Sequence, residues 1–265
     1  METKKTHIIK TKNLSIGYSS KKDTNTIASN LNIEVSSGKF ICLLGQNGIG
    51  KSTLLRTLTK VQPELNGEIE INGVSLNNLT NLELAKSLSL VLTERLPENN
   101  LSVFELVALG RQPHTNWIGY LTSEDLKIIN EAFHKTNTQH LMNMKYYELS
   151  DGQLQKVLIA RALTQNTAII ILDEPTAHLD IHHTIETFTL LKKLAKDFNK
   201  TVIVSTHEIN LALQLADELW LMNASKFVSG STDELISNNS VSELFKSDLI
   251  SFNKTLKQFT ISNSQ

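Results

Sequence analysis

The chain has 265 residues, enough to bury a sizeable core as one large α/β domain or two small ones. Its 26 Lys and Arg balance 27 Asp and Glu, so overall charge gives no support for a nucleic-acid-coating protein or an acidic tail. The single cysteine, Cys42, excludes a disulfide framework within the chain and suits a reducing compartment. Residues 1–12 lack the apolar centre of a secretory signal and no apolar run approaches bilayer length, so any membrane role is expected to pass through a partner.

Runs over 8–16 and 26–35 read as strands joined by a polar turn at 19–23. Tyr18 closes the first run. It reads either as a surface strand-end tyrosine or, standing ahead of the loop described next, as a ring that stacks on adenine. Phe40-Ile41-Cys42-Leu43-Leu44 reads as a buried strand, with Cys42 a small core residue. Then comes Gly45-Gln46-Asn47-Gly48-Ile49-Gly50-Lys51-Ser52-Thr53, which fits the phosphate-loop pattern, and a helix over 51–59. Glycines without Cβ atoms let backbone N–H groups close round a phosphate, and the helix start adds its positive dipole end. Lys51 would reach the β- and γ-phosphates, and the Ser52 hydroxyl would ligate Mg²⁺.

Gly67–Gly73 alternates and ends in an Asn72-Gly73 turn. Thr80 and Glu83 have capping-box spacing, and 88–92 reads as another strand. From 94 to 149 helical signals dominate: a second capping box at Ser102 and Glu105, then an amphipathic segment from Ser123 to about Thr136. This region is expected to be a helical subdomain inserted into an α/β core. Leu149-Ser150-Asp151-Gly152-Gln153 is a small-residue turn opening a helix over 152–165, and so a second anion-binding end. One compact chain has no obvious need for two such ends on one nucleotide.

Residues 168–172 are a fully apolar strand that ends at Asp173-Glu174-Pro175. Asp173 fits an aspartate that holds Mg²⁺ against Ser52, and Glu174 could polarise a water for attack on a γ-phosphate; a helix cap or solvated turn is the bland alternative. A helix over 182–197 and a strand over 201–205 lead to His207, which could hydrogen-bond a γ-phosphate or be merely structural. Residues 218–222 and 227–228 read as two last strands, with the remainder helical or loose and 253–265 expected to be poorly ordered. Strands alternating with helices imply a largely parallel sheet, whose ligands bind at the strands' carboxyl ends. The phosphate loop, Asp173-Glu174 and His207 each follow a strand and are expected to share one crevice.

Together these motifs resemble, in order and over nearly the whole chain, the ATP-binding subunit of ABC transporters. Tyr18 matches the A-loop aromatic, Gly45 to Thr53 Walker A, Ile169 to Glu174 Walker B with the catalytic glutamate, Ala177-His178-Leu179-Asp180 the D-loop, and His207 the switch histidine. Leu149 to Gln153 matches the Leu-Ser-Gly-Gly-Gln signature, with Asp151 in place of the first glycine. Thr93 falls where the family has a metal-linked glutamine, and either Thr93 or the neighbouring Glu94 is expected to substitute. Ser102 to His114 and His207 to Leu213 resemble importers of iron–siderophore, haem or cobalamin complexes, unless they are packing positions of a common scaffold. The resemblance implies a P-loop NTPase core of RecA-like type with a mostly parallel sheet, an antiparallel N-terminal part and a helical insert. It implies one domain over 1–265: core at 1–93 and 153–230, helical subdomain at 94–152, and a C-terminal helical extension at 231–265. It further implies ATP and Mg²⁺ as ligands, with Gln153 and Asp180 among the residues on the nucleotide. Its partners would be a second copy whose Ser150 and Gly152 close on the nucleotide, membrane-spanning permease subunits, and indirectly a substrate-binding protein. No nucleic acid is involved, and the site of action would be the cytoplasmic face of the inner membrane. The rival readings are a soluble ABC ATPase outside transport, a transporter subunit for another substrate, and a nucleotide-gated module without useful hydrolysis.

Overall fold

The computed structural model describes residues 7–20, 23–92 and 100–262. Its N-terminal part runs β1 (His7–Ser19), β2 (Thr24–Leu31), β3 (Glu34–Ser36), β4 (Phe40–Gly45), α1 (Lys51–Leu58), β5 (Asn66–Ile71), β6 (Val74–Ser75), α2 (Asn81–Ser87) and β7 (Leu88–Val91). Helices follow: α3 (Val103–Ala108), a 3₁₀ stretch over Leu109–His114, α4 (Ser123–Thr136) and α5 (Asp151–Thr164). The chain then returns to strands with β8 (Ile169–Asp173), α6 (Ile181–Phe198), β9 (Thr201–Ser205), α7 (Ile209–Leu215), β10 (Glu218–Met222) and β11 (Phe227–Ser231). It ends in α8 (Thr232–Ser237), α9 (Ser240–Leu244), β12 (Ile250–Asn253) and β13 (Gln258–Ile261).

The main sheet has the order β11-β10-β4-β9-β8-β7 and is parallel except for β11. β4, β8 and β9 are buried along their whole length because both faces are covered, which is why they read as unbroken apolar runs. Phe40, Cys42 and Leu44 point into the core shared with the C-terminal helices; Ile41 and Leu43 point into a second core with α1 and the N-terminal strands. Burial pushes the Cys42 thiol well above its usual range, so it stays a protonated core group. The second sheet is antiparallel, with order β2-β1-β5-β6 and β3 added to β1. The expected single strand over 26–35 is two strands, β2 and β3, parted at Asn32 and Ile33 and paired with opposite ends of β1.

The expected capping boxes at Thr80–Glu83 and Ser102–Glu105 are both formed. The third helix begins at Ser123 and ends at Thr136 as expected, with Thr122 as its cap and Asp125 completing the box. Asp125 also takes a hydrogen bond of 2.8 Å from Arg111 Nε, inside the protein, while Arg111 Nη1 donates to the Thr164 carbonyl at 2.8 Å. Gly110 makes that approach possible, since a Cβ there would lie 2.2 Å from the Arg161 carbonyl oxygen. His114 Nε2 lies 2.9 Å from the Gln165 carbonyl. Gly110, Arg111 and His114 therefore fasten α3 and the 3₁₀ stretch to the end of α5, a packing role.

Residues 231–262 differ most from expectation. The helical extension is short, and the stretch expected to be poorly ordered from 253 onward contributes β13, which pairs with β12 as a hairpin. Phe259 packs edge-on against Phe245 and tilted against Phe252, at 5.6 and 4.8 Å between ring centres. Its backbone is held by Asn210 on α7, whose amide accepts from the Phe259 N–H at 2.8 Å and donates to the Phe259 carbonyl at 3.3 Å. Two long-range contacts of this kind leave no signal in local composition.

The Asp125 carboxylate, held by Thr122 and Arg111, makes stability pH-dependent. The Thr122 hydroxyl first, then its backbone N–H and the Arg111 guanidinium, hold the Asp125 carboxyl at about 2, against an ordinary 3.8. A depressed carboxyl contributes its full stability above the unfolded value, and loses it as pH falls from about 4 through 2. That shift corresponds to about 2 kcal/mol. Urea unfolding should lose this amount over that window, and Asp125→Asn should remove that part of the acid dependence.

Candidate functional site

The phosphate loop leaves β4 at Gly45 and re-enters helix at Lys51. Gly50 caps α1 at φ 109°, and a Cβ there would meet Ile27 Cγ2 at 2.3 Å, so position and conformation both demand glycine. A Cβ on Gly45 would lie 2.4 Å from the Met222 carbonyl oxygen, because β10 pairs directly with β4. Gln46, Asn47 and Gly48 are exposed at the loop's crest, and Ile49 is half-buried behind them. Tyr18 reaches the same place: its hydroxyl shares a hydrogen bond of 3.1 Å with Thr53 Oγ1, while 55 % of the residue stays exposed. Its ring therefore has a free face beside the loop.

Lys51 is buried beneath the loop and donates to the carbonyls of Gly45 and Gln46 at 3.0 and 3.2 Å. Its ammonium also lies 3.4 Å from His207 Nε2 and 3.7 Å from Glu174 Oε1. Burial lowers the Lys51 pKa from its ordinary value, while the Glu174 carboxylate works against that shift. Ser52 Oγ donates to Asp173 Oδ1 at 3.0 Å. His207 Nε2 and Glu174 Oε1 are hydrogen-bonded at 2.7 Å. One contiguous group thus joins Lys51, Ser52, Asp173, Glu174 and His207, built from the carboxyl ends of three adjacent parallel strands.

Sequence reasoning missed one member of this group. Ser205, the last residue of β9, donates from Oγ to Asp173 Oδ1 at 2.6 Å and accepts from the Glu174 N–H at 2.9 Å. Its only signal in the sequence was a hydroxyl at the end of an otherwise apolar strand.

The second anion-binding end lies elsewhere. Ser150 and Gln153 form a reciprocal capping box at the start of α5, Ser150 N–H to Gln153 Oε1 at 3.0 Å and Gln153 N–H to Ser150 Oγ at 3.3 Å. Among the described residues no hydrogen bond or ion pair joins 149–153 to the phosphate loop; Ser150 and Asp151 are exposed and Gly152 is buried. Asp180 caps α6, accepting from the His183 N–H at 2.9 Å and bonding the His183 ring at 2.8 Å. That ring lies on Gly152, where a Cβ would sit 2.4 Å from His183 Cδ2. Asp180 is thus tied to the start of α5 and not to its own phosphate loop. Thr93, the expected further metal contact, and Glu94 lie outside the described residues.

No group of three or more His, Cys, Asp or Glu gathers to hold a metal among the described residues. A hydroxyl and a carboxylate side by side, Ser52 and Asp173, suit a hard cation that brings phosphate and water oxygens as its other ligands. Fold and site together define a P-loop nucleotide-hydrolysing protein.

Comparison narrows the class. The family model for ABC transporters matches residues 28–177. An uncharacterized ABC transporter ATP-binding protein of Methanocaldococcus jannaschii is 37% identical over 97% of this chain and 88% of its own length. The achromobactin transport ATP-binding protein of Dickeya dadantii is 35% identical over 91% and 88%. The iron(3+)-hydroxamate import ATP-binding protein of Bacillus subtilis is 32% identical over 91% and 88%. Among solved structures, an ABC transporter assigned to the metal-chelate type, in an inward-facing conformation, superposes with a TM-score of 0.78 at 29% identity, covering 96% of this chain and 95% of the other. A dimeric ATP-binding cassette bound to ADP and Pi superposes with a TM-score of 0.73 at 28% identity, covering 84% and 98%. The chain belongs to the ABC transporter family, as one of its ATP-binding, ATP-hydrolysing cassettes.

The Gly152–His183 contact is testable by itself. Gly152→Ala should destabilise the protein by about 1–3 kcal/mol, the range for overpacking. Adding His183→Ala should restore most of that in urea unfolding, because the clashing ring is gone. Equal destabilisation in both backgrounds would mean that the ring is not what excludes a side chain.

Proposed function

We propose that the chain drives import of an iron–siderophore or related metal-chelate complex, as a pair of copies on the cytoplasmic face of the inner membrane beneath membrane-spanning permease subunits. A substrate-binding protein would deliver the complex. The observation that carries the catalytic part is the single hydrogen-bonded group of Lys51, Ser52, Asp173, Glu174 and His207 at the strand ends. Phosphates would take the loop N–H groups of residues 45–53 and the Lys51 ammonium. Adenine would lie on the free face of Tyr18. Ser52 and Asp173 would hold Mg²⁺, which supplies charge neutralisation at the phosphate oxygens. Glu174 takes the proton of the attacking water, and His207, already bonded to Glu174, contacts the γ-phosphate.

Pairing of copies is supported by what lies outside this group. The α5 start is exposed, and Ile181 and Ile185, one turn apart on α6 beside Asp180, are 69 % and 45 % exposed. In a head-to-tail pair, Ser150 and Gly152 of one copy would close on the nucleotide held by the other, and the two isoleucines would be covered. The cargo class is supported by the achromobactin and iron(3+)-hydroxamate relatives and by the metal-chelate-type neighbour. No helix among the described residues is long and apolar enough to cross a membrane, so the permease subunits would supply the path.

Glu174→Gln should keep ATP binding, lower turnover by about 10²–10⁴-fold and favour the closed pair. Steady-state hydrolysis and sedimentation with Mg-ATP check this, and parent-rate turnover would remove Glu174 from its role. Cargo is checked by reconstituting the subunit with its membrane partners: a ferric-hydroxamate-loaded binding protein should stimulate hydrolysis, and the apo form should not. Asp151 places a carboxylate at the helix end offered to the γ-phosphate. Asp151→Gly in the Glu174→Gln background should strengthen ATP-driven pairing by roughly five-fold, the worth of about 1 kcal/mol of helix-end charge. Sedimentation at varied ATP reads that shift.

A further inference from the structure

Ser205 is fully buried and stands two residues before His207. In the parallel register it faces Asp173 across β8–β9 and Leu43 across β4–β9. A hydroxyl has one hydrogen to give and two lone pairs to receive. Ser205 uses both functions on neighbouring acidic residues: it donates to the Asp173 carboxylate at 2.6 Å and accepts from the Glu174 main-chain N–H at 2.9 Å. Its carbonyl shares the same N–H at 3.1 Å.

That N–H belongs to a residue in an uncommon backbone state. Glu174 has a φ of 48°, left-handed for a residue with a long side chain. The chain leaves β8 at this bend, and the carboxylate arrives beside Lys51 and His207. Such a conformation persists only where its surroundings hold it. Here two acceptors, both from Ser205, hold it. The same hydroxyl steadies Asp173 Oδ1, whose other donor is Ser52. Ser52 must turn its oxygen towards a cation when it serves as a ligand. Ser205 has no such second duty, so it keeps the carboxylate oriented throughout.

We propose that Ser205 is a positioning residue for ATP hydrolysis: one hydroxyl fixes the Asp173 carboxylate and, through the main chain, the direction of the Glu174 carboxylate. This rests on the reading of Glu174 as the group that activates water. A water-activating carboxylate displaced by a fraction of an ångström loses rate while phosphate binding, carried by the loop and Lys51, is untouched.

The test compares kcat, KM for ATP and direct nucleotide affinity in parent, Ser205→Ala, Ser205→Thr, Ser205→Val and Glu174→Gln proteins. Thr and Val are near-isosteric, so the strain of an added methyl cancels between them and their difference reports the hydroxyl. Ser205→Ala should lower kcat by roughly ten- to a hundred-fold with KM and affinity within about two-fold. Thr should turn over faster than Val by a similar factor. Should neither branched variant fold, the split between kcat and KM in Ser205→Ala decides. Ser205→Ala at the parent kcat, or Thr and Val equal, overturns the role of Ser205 while a slow Glu174→Gln leaves that of Glu174 standing. A Glu174→Gln protein at the parent rate overturns both.

Discussion

A parallel sheet covered on both faces leaves polar side chains one place to act, at the ends of its strands. β4, β8 and β9 are apolar and buried along their whole length, and their carboxyl ends lie side by side. The chemistry is therefore concentrated at the last residue of each strand and in the short stretch after it: Gly45 to Ser52, Asp173 with Glu174, and Ser205 with His207. Desolvation there raises the stakes of every contact. Lys51 is 4 % exposed, and its donors are directed at loop carbonyls and its remaining side at His207 and Glu174. Such a cation is held in one place by its neighbours, with little rotamer freedom left to lose.

The start of α5 is built by a different rule. Four N–H groups at a helix start have no partner within the helix. In α5 the Ser150–Gln153 box takes up the Gln153 N–H, and the Ser150 N–H ahead of the helix is also paired. The N–H groups of Asp151 and Gly152 have no partner within the helix; Ser150 and Asp151 are exposed, while Gly152 is buried under the His183 ring. Among the described residues no hydrogen bond or ion pair ties this turn to the phosphate loop of its own chain.

Much of this was legible in the sequence, and for a physical reason. Buried parallel strands read as apolar runs, capping boxes are local, and a phosphate loop concentrates its glycines in nine residues. Legibility ended where a contact joined distant positions. Arg111 looked like part of an importer-type motif, yet its side chain bridges Asp125 and the Thr164 carbonyl. Asn210 looked like an ordinary helix residue, yet it binds the backbone of Phe259, 49 positions away, and so orders a hairpin where a loose tail was expected. Ser205 was read only as the end of a strand. In each case the deciding partner is fixed by tertiary register, which no local pattern encodes.

The phosphate loop's crevice and the start of α5 are also joined by a chain of contacts within one copy. From Glu174 the backbone passes through two tight turns, Ala177 N–H to the Glu174 carbonyl at 3.2 Å and Leu179 N–H to the Thr176 carbonyl at 3.1 Å, and reaches the Asp180 cap of α6. Asp180 holds His183, and His183 lies against Gly152 at the start of α5. Further along, Lys156 and Glu186 tie the same two helices by an ion pair of 2.6 Å. Close-packed elements of this kind shift as units and do not deform smoothly. The Glu174 bend is therefore linked, through the six residues to Asp180 and then through His183, to the start of α5, by contacts that Gly152 permits and a larger residue would push apart.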